Sequence, residues 1–111
     1  MRCPKCDAEM TTMTHRGITV DRCNQCHGIW LDRNEFDLLL GRGLAKSFDL
    51  GRFSPLSPEL DRTPAVCRRC GVEMVSLVGP ADVRFEWCEA CDGMFFDRGE
   101  LTIIADFDAD E

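Results

Sequence analysis

The chain has 111 residues, with 13 Lys and Arg against 20 Asp and Glu, a formal net charge of −7, and eight cysteines. That charge counts against general binding to a phosphate backbone. No apolar run approaches the roughly twenty residues of a membrane span, which excludes a helical membrane protein as an expectation.

Residues 1–41 form the first unit. Cys3-Pro4-Lys5-Cys6 opens it, with Pro4 stiffening a tight turn that carries two thiols. Glu9 to Met13 and Ile18 to Asp21 alternate apolar and polar residues on either side of Arg16-Gly17, the pattern of a β-hairpin. A second pair, Cys23 and Cys26, follows. Gly28 to Leu31 is predicted to be a third strand. Asp32 with Glu35 three residues on is a capping-box pattern that opens a short helix, with Phe36, Leu39 and Leu40 on one face and Gly41 as its stop.

Residues 42–66 read as a linker by their Gly and Pro content. Leu44, Phe48, Leu50, Phe53, Leu56 and Leu60 are nevertheless too apolar for a free tether. A helical turn around 44–48 that lies against both units is the expectation.

Residues 67–106 repeat the first unit. Cys67-Arg68-Arg69-Cys70 stands where Cys3-Pro4-Lys5-Cys6 did, and Gly71 supplies the positive φ for leaving the turn. Val75 to Val78 and Val83 to Trp87 flank a turn at Gly79-Pro80. The fourteen residues from Cys88 match those from Cys23 without a gap, six of them identical and four more apolar in both. Asp97 and Glu100 repeat the capping pattern, and Leu101, Ile104 and Ala105 repeat the helix face. The acidic tail, 107–111, is expected to fray.

Sixteen residues separate Cys6 from Cys23 and seventeen separate Cys70 from Cys88, so every cysteine falls into a two-pair unit with none left over. Two such pairs facing each other across a hairpin present four sulfurs at tetrahedral corners, the geometry that suits Zn²⁺. Iron held by four thiolates and a framework of four disulfides are the alternatives. His27, beside Cys26, matches Asp92 in the second unit and is read as a surface residue. The acids of the capping pattern are read as caps rather than acid/base groups, and the methionines as core fillers.

Cys-Pro-x-Cys followed by Val20-Asp21-Arg22-Cys23-x-x-Cys26-x-Gly28-x-Trp30-Leu31-Asp32-x-x-Glu35 resembles the bacterial zinc-ribbon domain named for its similarity to the ribbon of transcription factor IIB. The second unit resembles it too, with Phe95-Phe96 in place of Trp-Leu and Arg68 in place of Pro. The resemblance implies zinc ligands at Cys3, Cys6, Cys23 and Cys26 and at Cys67, Cys70, Cys88 and Cys91, hence two Zn²⁺ per chain. It implies no known reaction.

The fold expected is a small metal-stabilised α+β chain of two tandem zinc ribbons, each of three antiparallel strands and a short C-terminal helix. Units near forty residues rarely hold together by apolar burial alone, so the metal is expected to be structural. The first ligand pair follows the N-terminal Met1-Arg2 at once, leaving no room for a leader, and a reducing cytoplasm is the setting expected. The functional expectation is a non-enzymatic adaptor that binds another protein, with Trp30, Trp87 and Phe95 as its contact patch. The alternatives are a nucleic-acid-binding regulator, using Arg68, Arg69 and Arg84 with Arg16, Arg22, Arg33, Arg42 and Lys46, and an Fe(Cys)4 redox or metal-handling protein.

Overall fold

In the computed structural model, the structure describes residues 1–32, 34–41, 43, 48, 63–79 and 82–109, the last four of these without their side chains. The first unit contributes strands β1 (Met10–His15), β2 (Ile18–Cys23) and β3 (Ile29–Leu31) and helix α1 (Glu35–Gly41). The second contributes β4 (Val75–Val78), β5 (Arg84–Trp87), β6 (Met94–Phe96) and α2 (Glu100–Ala109). No described helix is long and apolar enough to cross a membrane.

The β1–β2 hairpin turns at Arg16-Gly17, both with positive φ (51° and 82°), the geometry whose twist matches the flanking strands. Thr12 donates to Asp21 across the hairpin and Thr14 shares a bond with Thr19, so its outer face is polar. The first helix ends at Gly41, the stop expected. Gly43 takes the left-handed conformation (φ 65°) and its N–H donates to Leu40 O.

The six strands form one antiparallel sheet in the order β1-β2-β3-β6-β5-β4. The units therefore do not hang as two beads. They join where β3 pairs with β6, with Trp30 opposite Phe95, Ile29 opposite Phe96 and Leu31 opposite Met94. Strands at the middle of a sheet covered on both faces carry continuous apolar runs, which is what Ile29-Trp30-Leu31 and Met94-Phe95-Phe96 are.

Alternation along the strands sorts side chains onto two faces. Ile18, Val20, Ile29, Leu31, Phe85 and Phe96 face the helices and pack with Leu39, Leu101, Ile104 and Phe48. Phe96 lies between Phe36 and Phe85, stacked at 5.4 and 5.1 Å. Trp30 and Phe95 point to the opposite face, among Cys3, Cys23, Cys67, Cys88, Ala65 and Met74. Helices lie on one side of the sheet and cysteines on the other.

Phe48 is buried, and its carbonyl accepts from Arg22 Nη1 at 3.2 Å. The expected turn at 44–48 and the other apolar residues of the linker fall outside the described residues. Helix α2 runs to Ala109, so the first three residues of the expected tail continue it.

Candidate metal centres

Two clusters of four cysteines stand on the sheet's non-helical face. Cys3, Cys6, Cys23 and Cys26 make one and Cys67, Cys70, Cys88 and Cys91 the other, with the sulfurs of each within 4.8 Å of one another. All eight are free thiols. Sulfur–sulfur separations of 3.7 Å (Cys3 to Cys26), 3.3 Å (Cys6 to Cys23) and 3.8 Å (Cys67 to Cys91) are far beyond a disulfide bond. A tetrahedron with Zn–S bonds of about 2.3 Å has edges near 3.8 Å, so the donor set fits Zn²⁺. Two such clusters fit two Zn²⁺ ions.

Each pair is built by the same local device. The residue after the second cysteine is left-handed in all four turns: Asp7 (φ 63°), His27 (63°), Gly71 (70°) and Asp92 (62°). This places its N–H on the carbonyl of the first cysteine, at 2.8–3.1 Å in every case. His27 is explained by that position, and Asp92 also accepts from Trp87 Nε1 at 3.3 Å. The amides of Gln25 and Cys26 point at Cys23 Sγ (3.4 and 3.3 Å), the donors a metal-bound thiolate requires.

Without a metal the four sulfurs do not all ionise. The Cys26 thiol, bonding to Cys3, holds Cys3 down at about 5, and the same bond pushes Cys26 up. At Cys88, burial opposes ionisation, yet the amides of Cys91 and Ala90 outweigh it and the thiol is lowered. A divalent cation is what lets four thiolates share the space.

The residues of the expected contact patch are placed differently. Trp30 and Phe95 are fully buried and correct the expectation that they meet a partner. Trp87 is half-buried. The rings are consumed by the junction of the two units: a Cβ on Gly28 would lie 2.3 Å from Phe95 Cζ, and one on Gly93 would lie 2.1 Å from Trp30 Cζ2. Each unit's aromatic therefore lies on the glycine of the other unit's second cysteine turn.

Sequence reasoning missed a second reciprocity. Asp32 binds Arg69 bidentately and accepts from Trp30 Nε1 at 3.0 Å, while the Arg69 guanidinium sits 5.7 Å from the Trp30 ring centroid. At the matching places Asp97 accepts from Lys5 Nζ at 2.9 Å, and Glu86 pairs with the same ammonium at 2.8 Å. The Lys5 pair is buried and the Arg69 pair is about half exposed. Burial opposes the Lys5 charge, but the two carboxylates outweigh it and raise its pKa. The reciprocal half of each capping pattern is present, since Glu35 Oε1 accepts from Asp32 N and Glu100 Oε1 from Asp97 N, both at 2.7 Å. The signal was in the repeat: a basic residue precedes Cys6 and Cys70 alike.

Closed four-thiolate clusters, each made from two CxxC turns beside a β-hairpin, define a zinc-ribbon type of protein. The family model described as a transcription factor zinc-finger, of the TFIIB zinc-ribbon type, matches residues 2–42 and again 66–106, and the chain belongs to that family as two tandem copies. Searches of curated proteins and of solved structures return no match.

Proposed function

We propose that the chain is a non-enzymatic interaction module, each half a ribbon of three strands and a helix, whose partner is another protein. Four thiolates leave a zinc ion no open position for substrate or activated water, which supports a structural metal. A cytoplasmic setting, with association to the transcription or translation machinery, is part of the same reading.

The observation that carries it is the contrast between the two sheet edges. β1 is lined with threonines, whereas β4 carries Leu77 and Val78 exposed, with Val72 exposed nearby (Val78 at 65%). Among the described residues no strand pairs with β4 on its outer side, and an apolar edge of that kind is the template to which an extended segment of another protein adds as a strand. Beside it an open cleft of about 340 Å³, lined by Ala65, Met74, Ser76, Arg84 and Glu86 among others, offers room for a side chain of that strand. Affinity capture with zinc retained, repeated at several salt concentrations, is expected to recover a protein, and Val78→Lys is expected to abolish capture by placing a charge on the edge. Recovery of nothing, or identical recovery by Val78→Lys, counts against the reading.

The nucleic-acid alternative draws less support. Arg69 is committed to Asp32, and Arg68 reaches Cys3 O at 3.2 Å and Asp7 at 3.7 Å. Arg33, Arg42 and Lys46 fall outside the described residues. Salt-sensitive binding to DNA or RNA at about 50 mM salt would restore that alternative. Iron would appear as visible colour, and elemental mass spectrometry is expected to find zinc instead.

A further inference from the structure

We infer that the two zinc centres are mutually dependent: each is held in shape by the opposite unit, so that zinc binding at one site raises affinity at the other. This rests on the two zinc sites and is independent of the partner reading.

All four cysteine turns are supported across the unit boundary. The Cys3–Cys6 turn is gripped through Lys5 by Glu86 and Asp97, through Pro4 O by Val66 N (3.0 Å) and through Cys3 O by Arg68. The Cys67–Cys70 turn is gripped through Arg69 by Asp32. Phe95 covers Gly28, whose carbonyl accepts from Cys23 N at 2.9 Å, and Trp30 covers Gly93, whose carbonyl accepts from Cys88 N at 2.9 Å. The two rings and the buried cysteines of both sites form one continuous apolar cluster.

The physical consequence follows from what a structural zinc does. In a unit of this size, metal-binding free energy is largely folding free energy. A site whose turns are packed and paired by the other unit gains its geometry only when that unit is folded, and the other unit folds only when its own zinc is bound. Coupling of this kind is reciprocal. Phe95 and Lys5's acidic partners are thus positioning residues for the first site, and Trp30 and Asp32 for the second.

The test uses the full chain. Zinc affinity of the remaining site is measured by competition with a chromogenic chelator in Cys88→Ser/Cys91→Ser and in Cys23→Ser/Cys26→Ser. Each is expected to bind its one zinc at least about tenfold more weakly than wild type binds its more weakly held ion, about 1.4 kcal/mol. Because a crippled unit risks global misfolding, Phe95→Leu and Trp30→Leu are followed in parallel by amide hydrogen exchange of the zinc-loaded chain. Phe95→Leu is expected to speed exchange at Cys23 and His27 more than at Cys88 and Asp92, and Trp30→Leu the reverse. Wild-type affinity at the remaining site, or exchange that quickens only in the substituted residue's own unit, overturns the inference. A wild-type chain that binds no zinc overturns the metal reading itself, a result distinct from two zinc ions bound independently.

Discussion

At the scale of single residues, Gly28 and Gly93 carry more of the architecture than their size suggests. Neither has a positive φ, so the demand for glycine is steric: a β-carbon at either would enter a buried aromatic ring. Gly28→Ala and Gly93→Ala are each expected to destabilise the zinc-loaded chain by about 1–3 kcal/mol, the usual cost of overpacking, measured by denaturant unfolding. Gly28→Ala combined with Phe95→Leu is expected to recover part of that loss, which a purely conformational role for the glycine would not allow. His27 stands at the opposite pole. It occupies a left-handed position, where a non-glycine residue costs of order 1 kcal/mol, so His27→Gly is expected to keep two zinc ions by elemental analysis and to leave the melting temperature equal or higher.

At the scale of elements, the two cross-unit ion pairs occupy matching positions in different environments, and their energies should part accordingly. Lys5→Met leaves Glu86 and Asp97 with a buried charge uncompensated and is expected to cost about 3–5 kcal/mol. Arg69→Met, in a half-exposed pair, is expected to cost under about 1 kcal/mol. Denaturant unfolding of the two variants side by side decides whether burial or the bidentate geometry of Arg69 dominates. The start of α2 adds a pH dependence. Burial, and then the charge of Asp97, pushes the Glu100 carboxyl up to about 9, against roughly 4.3 in an unfolded chain. A raised folded pKa gives stability that is complete below about 4.3 and is lost as pH rises through 9. Between pH 6 and 8.5 the wild type should therefore lose stability relative to Glu100→Gln by at most about 1.4 kcal/mol per pH unit, read from thermal melts of both zinc-saturated proteins.

At the scale of the whole molecule, what was legible in the sequence and what was not divide along the reach of each signal. Cysteine spacing, the Arg16-Gly17 turn, the left-handed Gly71 and the apolar faces of the helices are local, fixed by neighbours within a few residues. The joining of β3 to β6 is a register between segments 65 residues apart, and no local period encodes it. Its traces were present as three successive apolar residues in each of two short strands and as a glycine repeated two residues before an aromatic, but a single unit alone gives these no partner. Local pattern therefore points Trp30 and Phe95 to the surface, and it finds the capping role of Asp32 and Asp97 but not the bonds that their carboxylates also make across the junction.

That junction changes what zinc removal should look like. Two independent ribbons would each lose fold with their own ion, and the melting of a half-loaded chain would show two steps. Here the helix-side core draws Ile18, Val20, Leu39, Phe85, Phe96 and Leu101 from both units, and the metal-side cluster draws Trp30 and Phe95 from both as well. No subset of it is a complete core without its zinc. Stepwise addition of a chelator at neutral pH is therefore expected to produce a single cooperative loss of structure, with far-ultraviolet circular dichroism, which reports sheet and helix, and tryptophan fluorescence, which reports Trp30 in one unit and Trp87 in the other, changing along one curve. Acidification should reach the same end by protonating the thiolates that hold the metal. Two separable phases would mean that the shared sheet joins the units without making them one folding unit.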